Sequence, residues 1–505
     1  MTQGVLPFQY EVEKTPGGMT ALAGLPLYLD LAHALGLRQL IRKHVRVRQG
    51  DQGWTDDQMI MALVLLNLAG GTCVEDIRVL EGDEGFCRLL RELELVGRTR
   101  SERRALARRW RKPRTRSLPS VTALREYLER FHDPEQEKLR KPHEAFIPAR
   151  SELLTALMLL HGAFAAAMQR RSAEKVATLD MDATLIETYK KAALYCYKKF
   201  KAYQPLNVYW AEMGLMLFSE FRDGNVPASY DLLRPFKEAL ALVPEGVKRV
   251  YLRSDTAGYL VDLLRYCAEG KNERFGVIEF AVGVDVTEAF RAAVREVPKA
   301  EWHPLRRRVE GRYQATGQEY AEVCFVPSWV GHKKDGPTYR FLAIREPLGQ
   351  TVLPGMEGQG SLPFPTMDWG TTKYKVTGIV TNREIPGDEL IWWYRERCGK
   401  SEEAHAVLKE DLAGGKLPSQ LFGANAAWWH MVVLAFNLNS AMKRLVLGGS
   451  WVHRRMKAIR FWLINLPGRV LERGRQVFVR LVGGHESNET LMEARRRMLC
   501  LVDSG

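Results

Sequence analysis

The sequence predicts an α/β protein in which a strand-rich centre lies between two mainly helical regions. Three observations predict this class. Residues 20–170 carry apolar side chains mostly at helical spacing, residues 175–299 alternate strand-like and helical runs, and helical patterns return after Asp388. At 505 residues, the chain is long enough for about three domains.

The composition adds a prediction about the partner. Lys and Arg number 74 against 60 Asp and Glu, and the formal net charge of +14 favours a polyanion such as nucleic acid. The longest apolar stretches, 153–168 and 424–438, are too short or too polar to span a bilayer comfortably. Seven scattered cysteines without a Cys-x-x-Cys pair fit a reducing cytosol. We therefore expect a cytoplasmic protein that binds nucleic acid and no membrane.

Residues 1–170 are predicted to form a helical DNA-binding region. Thr55-Asp56-Asp57 is typical of a helix start, the run 58–68 has apolar residues at helical spacing, and Gly70-Gly71 ends it. A second helix is predicted at about 74–80. Two short helices around a glycine turn fit a helix-turn-helix, but they also fit any helical bundle.

An arginine-rich segment, 98–116, lies within this region. It holds ten Arg or Lys residues against one acid, Glu102. Such a run is often a solvated connector, but arginine guanidinium groups bind phosphate and stack on bases, which favours a DNA-contacting segment. The arginines predicted to contact DNA are Arg103, Arg104, Arg108, Arg109 and Arg111.

Residues 171–299 have the element order of a ribonuclease-H-like core, which is three strands followed by helix, strand, helix and strand. The strand-like runs are 176–182, two within 208–221, 249–254 and 275–284, and the helical runs are 229–242, 258–268 and 288–296.

The rest of the chain is predicted to form three further regions. Residues 300–385 read as a β-rich insertion, because strand-like runs alternate there with loops rich in Gly, Pro and Lys. Residues 386–447 read as helices that complete the core. Residues 448–505 form a basic C-terminal region, in which 454–480 holds eight Arg or Lys residues against Glu472.

Three acidic residues stand where an α/β fold builds a site. Asp182 ends the strand 176–182, Asp255 follows the strand 249–254, and Glu402 lies on a predicted helix. The carboxyl ends of adjacent strands meet at one edge of a sheet, and a helix can bring a third carboxylate to it. Two Mg²⁺ ions held by carboxylates can cut a phosphodiester, although a lone Asp at a strand end is more often a turn cap.

Four passages and one helix of this sequence resemble a known family. They read TLDMDATLIET (178–188), FRDGNVPAS (221–229), YLRSDTAGY (251–259) and YRERCGKSEEAHAVLKEDLAGGKLPS (394–419), followed by FGANAAWWHMVVLAFNLN (422–439). The chain resembles DDE transposases of bacterial insertion sequences, most like group 1380 in the class marked by a Tyr-Arg-Glu-Lys signature.

The resemblance implies Mg²⁺-dependent nicking at transposon ends, followed by attack of the freed 3′-OH on target DNA. It implies that Asp182, Asp255 and Glu402 hold two Mg²⁺ ions, for which Mn²⁺ can substitute. The implied partner is double-stranded DNA, bound as transposon ends and as target by a homodimer. The implied location is the cytoplasm of a prokaryote, in association with the nucleoid.

The signature also implies DNA contacts by Tyr394, Arg397 and Lys409, and we expect a further contact from His405, which shares the helix face of Glu402. Lys409 follows Glu402 by seven residues, two helical turns on, and His405 follows it by three. A cation there would bind the phosphate beside the scissile bond.

The spacing within the signature departs from the family pattern. Arg397 and Glu402 are one residue further apart than usual, and Ser401 falls at the acid's usual place. One extra residue rotates a helical position by about 100°. A bulge or break near Gly399 would restore the alignment. Glu403 is therefore the fallback for Glu402.

The first acid also has an alternative. Asp180 and Asp182 are two residues apart on one strand, so their side chains share a face. Asp182 is preferred because it precedes Thr184, as in the family motif. Asp180 is then either a metal ligand itself or a residue that supports the ligands from behind.

Two other functions stay open beside the transposase. One is a nuclease on the same core that does not join strands. The other is a transposase-derived DNA-binding protein that has lost catalysis.

Overall fold

The structure is a computed structural model. The residues that it describes are 2–3, 9–10, 17–48, 53–96, 99–104, 116–309, 312–327, 339–348, 364–369, 372–474 and 476–503.

The first part of the chain is mostly helical, as the sequence predicts. Its short strands are β1 (Thr2–Gln3), β2 (Gln9–Tyr10) and β3 (Met19–Thr20). Its longer helices are α1 (Pro26–Ala34), α2 (Leu37–His44), α3 (Asp56–Ala69), α4 (Ile77–Gly82), α5 (Glu84–Glu94), α6 (Val121–Glu129), α7 (Pro134–Lys138) and α8 (Glu152–Arg171).

The predicted start and end of α3 are confirmed. The backbone N–H of Thr55 donates to Gln58 Oε1 (3.1 Å), and Gly70 ends the helix in the left-handed conformation that glycine tolerates. The helix is buried on nearly every side. The Asn67 side chain donates to the Leu412 carbonyl (2.6 Å), so α3 is anchored to the second half of the chain.

The centre of the chain alternates strands and helices. Its elements are β4 (Val176–Ala183), β5 (Ile186–Glu187), β6 (Leu194–Tyr195), β7 (Lys201–Tyr203), β8 (Leu206–Trp210), β9 (Leu215–Glu220), α9 (Leu233–Leu242), β10 (Arg249–Ser254), α10 (Val261–Ala268), β11 (Glu279–Val284) and α11 (Glu288–Arg295).

The predicted β-rich region follows. Its strands are β12 (His303–Val309), β13 (Arg312–Val323), β14 (Arg340–Pro347), β15 (Thr366–Trp369) and β16 (Thr372–Thr381). They do not form a sheet of their own, because β16 pairs with β11 and β14 pairs with β16.

Within the described residues, one mixed sheet of ten strands runs through the molecule, which confirms the α/β class. Its order is β12-β13-β14-β16-β11-β10-β4-β8-β9, with β15 on β16. Strands β4, β10 and β11 are parallel to one another, and β8 and β9 complete the sheet in antiparallel pairs.

The last part of the chain is helical and ends in a hairpin and a helix. Its elements are α12 (Gly387–Ala406), α13 (Phe422–Ala441), α14 (Met456–Ile459), β17 (Gly468–Arg473), β18 (Gln476–Leu481) and α15 (Ser487–Asp503). Wider π-helical turns continue α12 over Val407–Asp411, α13 over Met442–Leu447 and α14 over Arg460–Ile464.

Helix α13 is the centre of the core, as its nearly continuous apolar sequence predicts. It packs against α3, α8 and the sheet strand β9. Trp428 and Trp429 are fully buried, and the Trp429 indole donates to Ser219 Oγ (2.7 Å). Among the described residues, Glu152–Arg171 (α8) is long and apolar enough to cross a membrane, as is the bent pair Asp56–Ala69 and Val74–Gly82 if it counts as one span. Both segments contribute buried residues to the hydrophobic core, and apolar helices of this kind are typical of protein cores.

Candidate active site

Asp182 and Asp255 lie side by side at one edge of the sheet. Strands β4 and β10 are parallel neighbours, and their register pairs Met181 with Ser254. Asp182 is the next residue on one strand and Asp255 the next residue after the other. The strand-end reasoning from the sequence therefore agrees with the observed register.

Asp255 also has a structural role. Its carboxylate accepts the backbone N–H of Ala257 (3.1 Å) and caps a 3₁₀ turn over Thr256–Gly258. Asp255 is thus a turn cap, as the alternative for an Asp at a strand end predicts. The cap uses one oxygen of Asp255 and leaves the other for a ligand.

Both carboxyl groups have raised pKa values. Burial raises the pKa of Asp182, and the nearby charge of Glu402 adds to the effect. Burial also raises the pKa of Asp255, and so does the negative charge of Asp182. Arg397 opposes the shift at both positions. Two desolvated carboxylates that repel each other form a site that would gain from binding a cation.

Helix α12 brings one face against Asp182. Arg397 Nη1 lies 3.6 Å from Asp182 Oδ2, Ser401 Oγ donates to the same oxygen at 3.4 Å, and His405 Nδ1 is 3.8 Å from it. These three residues are spaced by four, so they form one stripe on the helix.

Glu402 lies beside this stripe. Its side chain is exposed, and its charge acts on Asp182 without a contact to it. Because α12 is continuous from Gly387 to Ala406, the break suggested near Gly399 is absent. Ser401 therefore occupies the position facing Asp182, as the unusual spacing indicates for an unbroken helix.

Glu403, the fallback acid, points elsewhere. Its charge raises the pKa of Tyr209 and opposes the fall in the pKa of Lys443, both of which lie on the other side of α12. With them it lines a separate cleft of about 380 Å³. It is therefore not brought to Asp182 and Asp255.

Asp180 is engaged in a buried ion pair. Its two carboxylate oxygens accept Arg253 Nε and Nη2 at 2.5 and 2.9 Å, and both side chains are buried. Arg253 also donates to the backbone carbonyl of Trp393 on α12 (2.5 Å). Both oxygens of Asp180 are thus engaged by Arg253, which favours Asp182 as the first acid of the site.

Arg253 was not recognised in the sequence, although a signal was present. An arginine within an apolar strand needs a buried partner, because an unpaired charge there is very costly. The acid two residues before Asp182, on the neighbouring strand, is that partner.

His405, a predicted DNA contact, is buried beside Asp182. The residue is only 6% exposed, and burial lowers its pKa to about 3, which favours the neutral ring. Its Nε2 lies 3.1 Å from the Asn207 side-chain nitrogen. Burial and the lowered pKa both disfavour a charged imidazolium at this position.

Arg397, Tyr394 and Lys409 remain close to the carboxylates. The Arg397 guanidinium lies over the Tyr394 ring at 5.5 Å, and its Nε has no hydrogen-bond partner among the described residues. Lys409 is half-buried, and its ammonium group donates to the Leu185 carbonyl (3.4 Å), three residues after Asp182.

The arginine-rich segment is described only in part. Arg103 and Arg104 are exposed in a short helical stretch, whereas Arg108, Arg109 and Arg111 lie outside the described residues.

The donor atoms suit a hard divalent cation, since both aspartates offer carboxylate oxygens in a desolvated position. Within the described part of the chain, however, no three His, Cys, Asp or Glu side chains are gathered closely enough to hold a metal ion. The site therefore contains a carboxylate pair and a third acid that is near but turned outward.

Comparisons with known proteins identify a family and a similar solved structure. A family model described as "Transposase DDE domain group 1" matches residues 8–330 and 366–502. Among solved structures, the chain is similar to "Cryo-EM structure of piggyBac transposase synaptic complex with hairpin DNA" at 9% sequence identity. The similarity covers 97% of this chain and 83% of that chain, with a TM-score of 0.37, which is too low to carry an argument. No curated protein matches the sequence.

Proposed function

We propose that this chain, which belongs to the transposase DDE domain group 1 family, cuts DNA at the ends of an insertion sequence and joins those ends to target DNA. The observation that carries the proposal is that Asp182 and Asp255 lie beside each other at the carboxyl ends of two parallel strands. The strand order β9-β8-β4-β10-β11 supports a ribonuclease-H-like layout for the core.

DDE transposases use divalent metal ions, and we propose Mg²⁺, with Mn²⁺ as a substitute. Asp182, Asp255 and Glu402 would hold two ions. Such ions activate the attacking oxygen and stabilise the departing oxyanion of a phosphodiester.

The chain's own residues prepare the site for an anionic substrate. Arg397 offsets part of the negative charge of Asp182 and Asp255. Its buried Nε, which has no hydrogen-bond partner among the described residues, would donate to a phosphate oxygen. Lys409 adds a second cation near Asp182, and Tyr394 holds the Arg397 guanidinium from one side. We propose these three residues as DNA contacts.

The proposed partners are the double-stranded transposon ends and the target DNA, bound by a homodimer. The helical region 1–170 would recognise the ends, and the basic segments 98–116 and 454–480 would add phosphate contacts. The membership of group 1380, the bacterial source and the location at the nucleoid are part of the same proposal.

The test is Mg²⁺-dependent cleavage of the inverted repeats that flank the coding region. The wild type should nick these ends and transfer pre-cut ends into a target plasmid. Asp255→Asn should lose both reactions, while Asp262→Asn, an exposed aspartate on α10, should keep them. Full activity of Asp255→Asn would overturn the assignment. Cleavage without strand transfer by the wild type would indicate the nuclease instead.

One observation favours a second candidate, a transposase-derived DNA-binding protein without catalysis. Ser401, and not an acid, faces Asp182. Sequence-specific binding of the ends by a wild type that does not cleave them, with Mg²⁺ or with Mn²⁺, would favour this candidate.

A further inference from the structure

A lysine- and tyrosine-rich segment follows the first acid directly. We call residues 186–203 the Lys/Tyr hairpin. It contains five Lys residues against one acid, Glu187, and four Tyr residues. Strands β5, β7 and β6 form a small sheet of their own within it, separate from the central sheet.

Three of its tyrosines are unusually exposed for aromatic residues. Tyr189, Tyr195 and Tyr197 are 94%, 63% and 73% exposed. Tyr195 ends β6 and Tyr197 lies in the turn that follows, with the buried Cys196 between them. Lysine ammonium groups accompany them, with Lys201 5.9 Å from the Tyr195 ring centre and Lys198 5.7 Å from that of Tyr197.

Contacts with neighbouring segments hold the hairpin against the rest of the protein. Arg140 donates to the Ala192 carbonyl (2.7 Å) while it pairs with the buried Asp223 (2.6 Å). Gly224 approaches the Ala202 carbonyl so closely that a Cβ at this glycine would lie 2.5 Å from the oxygen. The Lys201 ammonium donates to the Lys191 carbonyl (2.9 Å). The exposed rings therefore stand on an anchored platform.

The hairpin also adjoins the candidate active site. It starts four residues after Asp182, and Lys409 donates to the carbonyl of Leu185, the residue before it. The charge of Lys198 contributes to lowering the pKa of Lys409, so the hairpin's turn lies near the same cation. A DNA strand bound at Asp182 and Asp255 would extend from the site past the tyrosine rings of the hairpin.

We propose that the Lys/Tyr hairpin binds an unpaired DNA strand beside the active site, with bases stacked on Tyr195 and Tyr197 and phosphates neutralised by the lysines. Exposed rings between cations are the combination that binds single strands, because the face of a base is open to stacking only when it is unstacked from its neighbours. A DNA duplex would contact the lysines, but its stacked bases would offer no open face to the tyrosine rings. The proposal depends on the proposed function in one respect, which is that cleavage of DNA ends would supply the unpaired strand.

The test is the anisotropy of labelled oligothymidine in EDTA, which measures binding without catalysis. The double variant Tyr195→Ala/Tyr197→Ala should bind at least about tenfold more weakly, because stacking contributes substantially for each base. Tyr195→Phe/Tyr197→Phe should bind like the wild type, since a phenyl ring also stacks. Tyr313→Ala is the matched control, because Tyr313 is 67% exposed on β13 near the far edge of the sheet.

A second measurement keeps the proposal testable if the alanine variant is destabilised. Lys198→Gln/Lys199→Gln should reduce the slope of log K against log salt by about 1.4, since each phosphate contact to a single strand contributes about 0.7. Both lysines are exposed. Binding to the matched duplex should change less than twofold in the tyrosine variants.

Two results would overturn the proposal. One is wild-type affinity for oligothymidine in the alanine variant together with a wild-type salt slope in the lysine variant. The other is an equal loss in the phenylalanine and alanine variants, which would remove stacking as the cause. Neither depends on cleavage, whereas full activity of Asp255→Asn would overturn the proposed function and leave the oligothymidine result as it stands.

Discussion

Asp182 and Asp255 are positioned by two neighbouring strands, whereas Glu402 is positioned by a single long helix. In the sheet, the backbone register between β4 and β10 fixes which residues meet, and the buried side chains of both strands specify that register. On the helix, one extra residue turns a side chain by about 100°, and here Ser401 faces Asp182 while Glu402 faces outward. The strand side of the site (Asp182 and Asp255) is therefore specified by strand pairing. The helix side (Ser401 and Glu402) depends on how each residue is rotated about the helix axis.

The strand side is also reinforced by a buried charge pair. Arg253 joins Asp180 on β4 to the carbonyl of Trp393 on α12, and so connects both strands to the helix. The helix side has weaker connections to Asp182, at 3.4 to 3.8 Å. A movement of α12 on DNA binding would disturb fewer strong contacts than a movement of the strands.

The largest expected effect separates the two aspartates of β4. Asp182→Asn should reduce cleavage on the order of 10³-fold, which corresponds to several kcal/mol of lost transition-state stabilisation, with little change in stability. Asp180→Asn should instead lower the free energy of unfolding by about 3–5 kcal/mol, because it leaves the buried Arg253 without its partner. Single-turnover cleavage and urea unfolding measure the two effects. Equal losses of activity at equal stability would abolish the distinction between these residues.

A smaller effect concerns the helix side and pH. Burial lowers the pKa of His405 to about 3 from its ordinary 6.5, so the unfolded chain takes up a proton at this residue below pH 6.5 and the folded chain does not. Stability is therefore present above pH 6.5 and is lost as the pH falls toward 3. At pH 5 the loss from this residue is about 2 kcal/mol.

The variant His405→Asn removes the pH-dependent contribution of His405 to the free energy of unfolding. Its unfolding free energy should fall by about 2 kcal/mol less than that of the wild type between pH 7 and pH 5. His303→Asn, at an exposed position on β12, is the control and should follow the wild type. An unchanged pH dependence in His405→Asn would show that the ring is not held neutral.

The smallest expected effect is on metal-linked stability. Mg²⁺ at about ten times its Kd should stabilise the wild type by about 1.4 kcal/mol, and EDTA should reverse the shift. Asp182→Asn and Asp255→Asn should lose the shift, because each removes a proposed ligand. Thermal unfolding gives the measurement, and an undiminished shift in both variants would mean that the metal binds elsewhere.

The sequence predicted the strand side better than the helix side. Strand ends and their order lead to Asp182 and Asp255 because parallel strands bring their carboxyl ends together. The extra residue before Glu402 was visible, but its consequence depends on whether the helix breaks, and this is decided by packing. The wide turn appears only at Val407–Asp411, beyond the acid.

Partners within the core could not be predicted from spacing. The pairing of Asp180 with Arg253 joins residues 73 positions apart, and the burial of His405 depends on Asn207 from another strand. The Lys/Tyr hairpin has the composition of an ordinary solvated loop, and only its anchored and exposed geometry distinguishes it.

The most direct test of the account compares Glu402→Gln with Glu403→Gln in Mg²⁺-dependent cleavage of the transposon ends. The two residues are adjacent and both exposed, so they form a matched pair. If Glu402 supplies the third carboxylate to Asp182 and Asp255, Glu402→Gln abolishes cleavage and Glu403→Gln retains it. Retained cleavage in Glu402→Gln, or its loss in Glu403→Gln alone, would contradict the account.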